Sequence, residues 1–127
     1  MNWSSPYFTE EEMKCRYSGI SAMDAGFMDS LTKLRELYDK PMIITSAYRD
    51  PNLHPIEAMK EKKGAHAYGR AVDIAVQGAD ALRVLQIVMS NDLGFTRVGI
   101  AQKGSGRFIH LDNMTEAEGF PQTIWSY

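Results

Sequence analysis

His66 and Asp73 stand seven residues apart in Gly64-Ala65-His66-Ala67-Tyr68-Gly69-Arg70-Ala71-Val72-Asp73-Ile74, and His110 follows in Phe108-Ile109-His110-Leu111-Asp112. Two imidazoles and a carboxylate can hold a zinc ion and leave a fourth position for water, the donor set of a catalytic rather than a structural site. Zinc lowers the pKa of such a water to roughly 7. A two-histidine, one-carboxylate iron site is the rival. His110-Leu111-Asp112 would then need a later histidine, and none follows. The candidate ligands are therefore His66, Asp73 and His110, with zinc as the expected metal.

Those side chains need elements to carry them. Ala71 to Val76 reads as a strand, with Val72, Ile74 and Val76 on one face and Ala71, Asp73 and Ala75 on the other. An unbroken strand would put His66 and Asp73 on opposite faces, so Gly69 is expected to supply a bend. Arg97 to Ala101 and Arg107 to Asp112 flank Lys103-Gly104-Ser105-Gly106 and predict an antiparallel hairpin. Within it, Phe108, His110 and Asp112 share a face, with Ile109 and Leu111 behind them. Met42 to Tyr48 is rich in β-branched residues and predicts a third strand, closed by Arg49-Asp50-Pro51-Asn52.

Helices fill the remainder. Thr9-Glu10-Glu11-Glu12 is a capping-box pattern that opens a short helix. Asp24 to Tyr38 carries Phe27, Met28, Leu31, Leu34, Leu37 and Tyr38 at helical spacing, and Pro41 bars continuation. Asp80 to Asn91 predicts another helix, capped by Asp80, with Leu82, Leu85 and Val88 or Met89 inward. Leu53 to Lys63 is polar and irregular, with a helical turn expected near Ile56–Lys60. The tail from Phe120 to Tyr127 is aromatic and is expected to pack on the domain. Helices around a small, mainly antiparallel sheet make the expected class α+β.

Size and composition bound the function. The 127 residues suit one domain, 1–127. A net charge of −2 argues against a nucleic-acid partner or an anionic membrane. No apolar run approaches the ~20 residues of a membrane span. The opening residues lack the basic and apolar regions of a signal peptide. Cys15 is the single cysteine, so no internal disulfide forms, and a small buried side chain is its expected role. A monomer is expected.

The run Gly64-x-His66-x-x-Gly69-x-Ala71-x-Asp73 resembles the S-x-H-x-x-G-x-A-x-D signature of the zinc D-Ala-D-Ala carboxypeptidase family, whose relatives include phage L-alanyl-D-glutamate endopeptidases and the hedgehog amino-terminal domain. Ser46-Ala47-Tyr48-Arg49-Asp50-Pro51 is similar to its S-x-Y-R-x-P strand end, and His110-Leu111-Asp112 to its terminal H-x-D strand. Order and spacing agree from about Glu11 to Trp125, and the helix around Leu34-Arg35-Glu36 and the closing Trp125-Ser126-Tyr127 look most like the small phage and bacterial branch.

The resemblance implies the fold of that family and zinc ligation by His66, Asp73 and His110. It implies that Arg49 binds substrate and the developing oxyanion, with Tyr48 and Trp125 as further substrate contacts. The implied substrate is the stem peptide of peptidoglycan, cut by a carboxypeptidase or an endolysin-type endopeptidase. Host cytoplasm with release at lysis, or a phage virion, is the implied location. Two positions depart from the pattern. Gly64 replaces the signature serine, and Arg107 stands where several members carry a general-base carboxylate. Asp112 is then the first candidate to move the proton, with orientation of a ligand histidine as its other role. Glu57 and His54 follow. A zinc-stabilised binding module without catalysis is the alternative.

Overall fold

A computed structural model describes residues 2–127. Four helices surround a five-stranded sheet. The helices are α1 (Glu10–Met13), α2 (Ala25–Tyr38), α3 (Pro55–Ala58) and α4 (Gly78–Ser90). The strands are β1 (Ile44–Ser46), β2 (Ala71–Ile74), β3 (Arg97–Ala101), β4 (Phe108–Asp112) and β5 (Thr123–Ser126), in the order β1-β2-β4-β3-β5. All neighbours run antiparallel except β3 and β5, which are parallel. The class is α+β, as expected. No helix among the described residues is long and apolar enough to cross a membrane.

The sheet has one core face and one site face. Val72 and Ile74 of β2, Ile109 and Leu111 of β4 and Val98 of β3 pack against Phe27, Met28, Leu31 and Leu34 of α2 and Val84 and Ile87 of α4. Each such aliphatic side chain, fully removed from water, contributes about 1.5–3 kcal/mol. The alternate residues Asp73, His110 and Asp112 therefore have no choice but the opposite face. Cross-strand pairing brings them together, with Asp73 opposite His110 on one side and Gly99 opposite His110 on the other.

Four readings need correction. Helix α4 starts a turn early, at Gly78 with Gln77 as its cap, so Asp80 is free to pair with Lys40 at the surface. Its buried face is accordingly Ala81, Val84 and Ile87, with Leu85 and Val88 packed beside it, while Leu82 and Met89 are exposed. In α2 the stripe buries every expected residue but Leu37, which faces outward. The first strand is short, Ile44 to Ser46 rather than Met42 to Tyr48, and its pairing with β2 is irregular between those residues. The aromatic tail does pack on the domain, and it does so as a fifth strand that the sequence pattern did not reveal.

Candidate metal centre

His66 lies on a single 3-10 turn, Ala65–Tyr68, and that turn is closed by Gly69 in the left-handed region (φ 67°). A Cβ on Gly69 would lie 1.9 Å from the carbonyl oxygen of Ala22, so the close backbone approach there excludes any side chain. The expected bend is thus present, and it carries the chain from the turn directly into β2 and Asp73. Asp24 N–H donates to Gly69 O at 2.9 Å, and Arg49 N–H donates to His66 O at 3.2 Å, pinning the turn to α2 and to the end of β1.

The three candidate ligands converge. His66 Nε2 lies 3.4 Å and His110 Nδ1 3.0 Å from Asp73 Oδ1. One potential ligand atom from each of the three residues lies within 4.8 Å of the others, and all three side chains are buried. Two ligands at about 2.0–2.1 Å from a tetrahedral ion stand about 3.3 Å apart, close to the spacings to Asp73.

The outer ring nitrogens decide which lone pairs face inward. His66 Nδ1 meets the backbone carbonyl of Ala47 at 2.7 Å. A carbonyl only accepts, so Nδ1 carries the proton and Nε2 presents a bare lone pair. His110 Nε2 meets Asp112 Oδ2 at 2.7 Å and donates to it, which leaves Nδ1 for the cluster. This is the support that metal-binding histidines generally have. The donor set, its spacing and both tautomers therefore fit a divalent ion.

Electrostatics agree. Burial pushes the His66 pKa down, against the opposing pull of Asp73, so this ring favours its neutral form. Burial also disfavours charge on His110, but hydrogen bonds to Asp112 and Asp73 outweigh it and raise its pKa. Burial alone would raise Asp73, yet the hydrogen bond with His110 and the nearness of the His66 ring hold its pKa well below the usual carboxylate range. In the metal-free chain the close approach of His110 Nδ1 to Asp73 Oδ1, at 3.0 Å, fills the place a cation would take, and metal binding must open it.

Around the cluster lies a cleft of about 360 Å³. Arg49 lines it, with Nη2 3.5 Å from Asp73 Oδ2, Nη1 3.6 Å from Glu57 Oε1 and Nε donating to Ser46 Oγ at 3.1 Å. Trp125 forms the opposite wall, its ring centroid 5.1 Å from that of His110. A Cβ on Gly99 would meet the indole at 2.7 Å, so glycine at this position is what lets Trp125 lie over β3. Asp112 lines the cleft but has no exposed surface. Its Oδ2 also accepts from Arg97 Nε at 3.2 Å, and its Oδ1 accepts from Met114 N–H at 3.1 Å.

Other expected residues fall elsewhere. Tyr48 lines a neighbouring cavity rather than the metal cleft. His54 caps α3, its Nδ1 accepting from Ile56 N–H, and it too lines that neighbouring cavity. Arg107 turns away from the metal cleft and donates to Gly104 O. Glu57 is fully buried; Oε2 accepts from Gly64 N–H at 3.1 Å and Oε1 from Lys60 at 3.0 Å. Desolvation would raise its pKa, but those two donors and Arg49 lower it, so Glu57 is ionised at neutral pH. Arg97, Phe120 and Tyr127 also line the cleft and were not anticipated. Extending the hairpin register by two residues from Gly99 opposite His110 would have placed Arg97 opposite Asp112.

His66 on its turn and Asp73 and His110 on the site face of the sheet, beside Arg49, make a buried donor set that could hold a metal ion. The chain belongs to the peptidase M15 family, whose model matches residues 6–112. No curated protein matches the chain. Trp125 and Tyr127 lie beyond the family match and still line its cleft.

Proposed function

We propose that the protein is a zinc-dependent peptidase that hydrolyses an amide bond in the stem peptide of bacterial peptidoglycan. The observation that carries this reading is the orientation of the two rings: His66 Nδ1 is taken up by Ala47 O and His110 Nε2 by Asp112, so His66 Nε2 and His110 Nδ1 both face Asp73 Oδ1 in a buried cleft. His66, Asp73 and His110 would hold the zinc. Zinc bound there supplies Lewis-acid polarisation of the scissile carbonyl and acidifies water.

The chain's own residues do the rest. Arg49, gripped from three sides, presents a fixed guanidinium to a substrate carbonyl or to charge developing on it. Trp125 offers the substrate a flat apolar wall. Asp112 spends its hydrogen bonds on His110, Arg97 and Met114 N–H, so it orients His110. Glu57 is the better proton carrier, because its bonds go to cations and one backbone N–H rather than to a ligand histidine.

A specific observation also favours the non-catalytic alternative. Arg107 occupies the general-base position and points out of the cleft, and each carboxylate lining the cleft is already engaged. Such a chain would keep zinc for folding and bind peptidoglycan or a virion partner. Metal analysis of wild type and His66→Ala, followed by a muropeptide digest read by mass spectrometry with a chelator control, separates the readings. The peptidase yields about one zinc per wild-type chain, loss of it in the variant, and chelator-sensitive release of new amines. Zinc with binding but no release favours the module. A metal-free native protein rejects both.

A further inference from the structure

A second cavity, of about 530 Å³, adjoins the metal cleft of about 360 Å³. Arg49 and Ile56 line both. Arg49 sits on the saddle between them: its Nε is held by Ser46, which lines the second cavity, and its Nη atoms face Glu57 and Asp73 in the metal cleft. One side of the second cavity is β1, an edge strand with β2 as its single sheet neighbour. Another side carries Tyr17 and His54, whose rings meet edge-on at 5.0 Å, and Tyr48 lines the cavity as well.

This layout bears on where a peptide is cut. An enzyme that trims a terminal residue needs a cation at the blind end of its cleft to meet the terminal carboxylate. Arg49 is not at a blind end, because the space beyond it is larger than the metal cleft itself. Nor is its charge free, since two carboxylates already stand 3.5 and 3.6 Å away. A third carboxylate would meet the like charges of Asp73 and Glu57 there, whereas a neutral backbone carbonyl would not. The outer edge of β1 is partly covered, Thr45 O accepting from Arg16 Nη2 at 2.8 Å and Tyr48 N–H donating to Met13 O at 3.1 Å, so the side chains along the second cavity rather than strand pairing would hold an extended peptide.

We propose that an extended peptide binds across both cavities, passing over Arg49, so that an internal bond rather than a C-terminal one lies at the metal centre. This deepens the peptidase reading above and rests on it for the nature of the ligand. Tyr17, Tyr48 and His54 then hold residues remote from the bond that is cut.

The test uses the zinc-loaded full chain and stem peptides of two to five residues, each as free acid and as C-terminal amide. Binding is measured by calorimetry with reduced-amide analogues that cannot be cleaved, and turnover by mass spectrometry with the natural amides. Affinity is expected to rise at least tenfold from the shortest to the longest peptide and to change less than threefold on amidation. Tyr17→Ala, at an exposed position that folding tolerates, should abolish most of the gain with length, and Tyr17→Phe should keep it. A dipeptide acid that binds as tightly as the pentapeptide, with a tenfold or greater loss on amidation, overturns the proposal. Turnover confined to free acids overturns it too and leaves the peptidase reading intact. Length-dependent binding without turnover upholds the extended groove and removes the peptidase reading.

Discussion

The two candidate ligand histidines are held in different ways. His110 sits in the middle of β4, with β2 and β3 paired on either side, and its outer nitrogen is fixed by the side chain of Asp112. His66 sits on one 3-10 turn, and its outer nitrogen is fixed by a backbone carbonyl, that of Ala47. One position is set by repeating ladder geometry, the other by single contacts, each with no neighbour to replace it. The strand histidine should therefore yield gradually to change, through its supporting side chain. The turn histidine should fail all at once, through the backbone.

Gly69→Ala tests the abrupt side of that contrast and should have the largest effect. The substitution places a methyl group 1.9 Å from Ala22 O and also asks alanine to adopt φ near 67°. A clash with backbone has no side-chain rotamer to relieve it. A loss of about 3–5 kcal/mol is expected, seen as a fall of roughly 10–20 °C in Tm, with loss of bound metal at temperatures where the chain is still folded. An unchanged Tm would show that the turn does not depend on this approach.

Asp112→Asn tests the gradual side. The amide oxygen can still accept from His110 Nε2, so the tautomer survives, but the charge behind it is gone and so is the ion pair with Arg97. Loss of such a supporting carboxylate generally costs 10–100-fold in metal affinity. A competition titration against a chromophoric chelator should read a drop in that range while the circular dichroism spectrum is retained. Complete loss of metal would mean that the strand histidine is as brittle as the turn one, and the contrast would collapse.

What could be read from the chain follows the same division. Alternation along β4 places Phe108, His110 and Asp112 on one face from sequence alone, because the period of a strand leaves two choices and Ile109 and Leu111 claim the core. The offset from His66 to Asp73 showed that a bend was needed, yet nothing local showed that Ala22 would be the neighbour that makes Gly69 necessary. Glu57 reads as a surface glutamate in a polar loop, and its burial comes from Arg49, Lys60 and the Gly64 N–H, contacts made after folding. The tail's pairing with β3 was hidden for a related reason. A four-residue edge strand of mixed polarity, Thr123–Ser126, has no periodicity strong enough to announce it.

Gly99→Ala addresses a third mode of support, a wall laid against the strand histidine. The added Cβ would meet the Trp125 indole at 2.7 Å. Trp125 is partly exposed on an edge strand, so it can swing away, and overpacking of this sort costs about 1–3 kcal/mol. The expected result lies at the lower end, with metal retained and a red-shifted tryptophan emission as the indole leaves His110 for water. Because Trp3 is buried and distant in sequence, a Trp3→Phe background isolates the signal.

The smallest effect is expected where the two histidine-bearing regions are tied together. Arg70 follows the His66 turn and reaches the segment after β4: Nη2 donates to Asn113 O at 2.7 Å, Nε to Asn113 Oδ1 at 2.8 Å, and Nη1 pairs with Glu118. The hydrogen bond from Arg70, with help from Thr115, lowers the Glu118 pKa from 4.5 to about 2. A carboxyl whose pKa is depressed on folding adds stability that is whole above its unfolded value and disappears as pH falls through its folded one. Wild type should thus exceed Glu118→Gln in urea-unfolding stability at pH 6, and the two should converge as pH is lowered from about 4.5 toward about 2. Because the pair is exposed, added salt should shrink the difference at pH 6. A gap that persists at the acid end would assign the stabilisation to the geometry of the Thr115 cap rather than to the charge that links the turn to the strand.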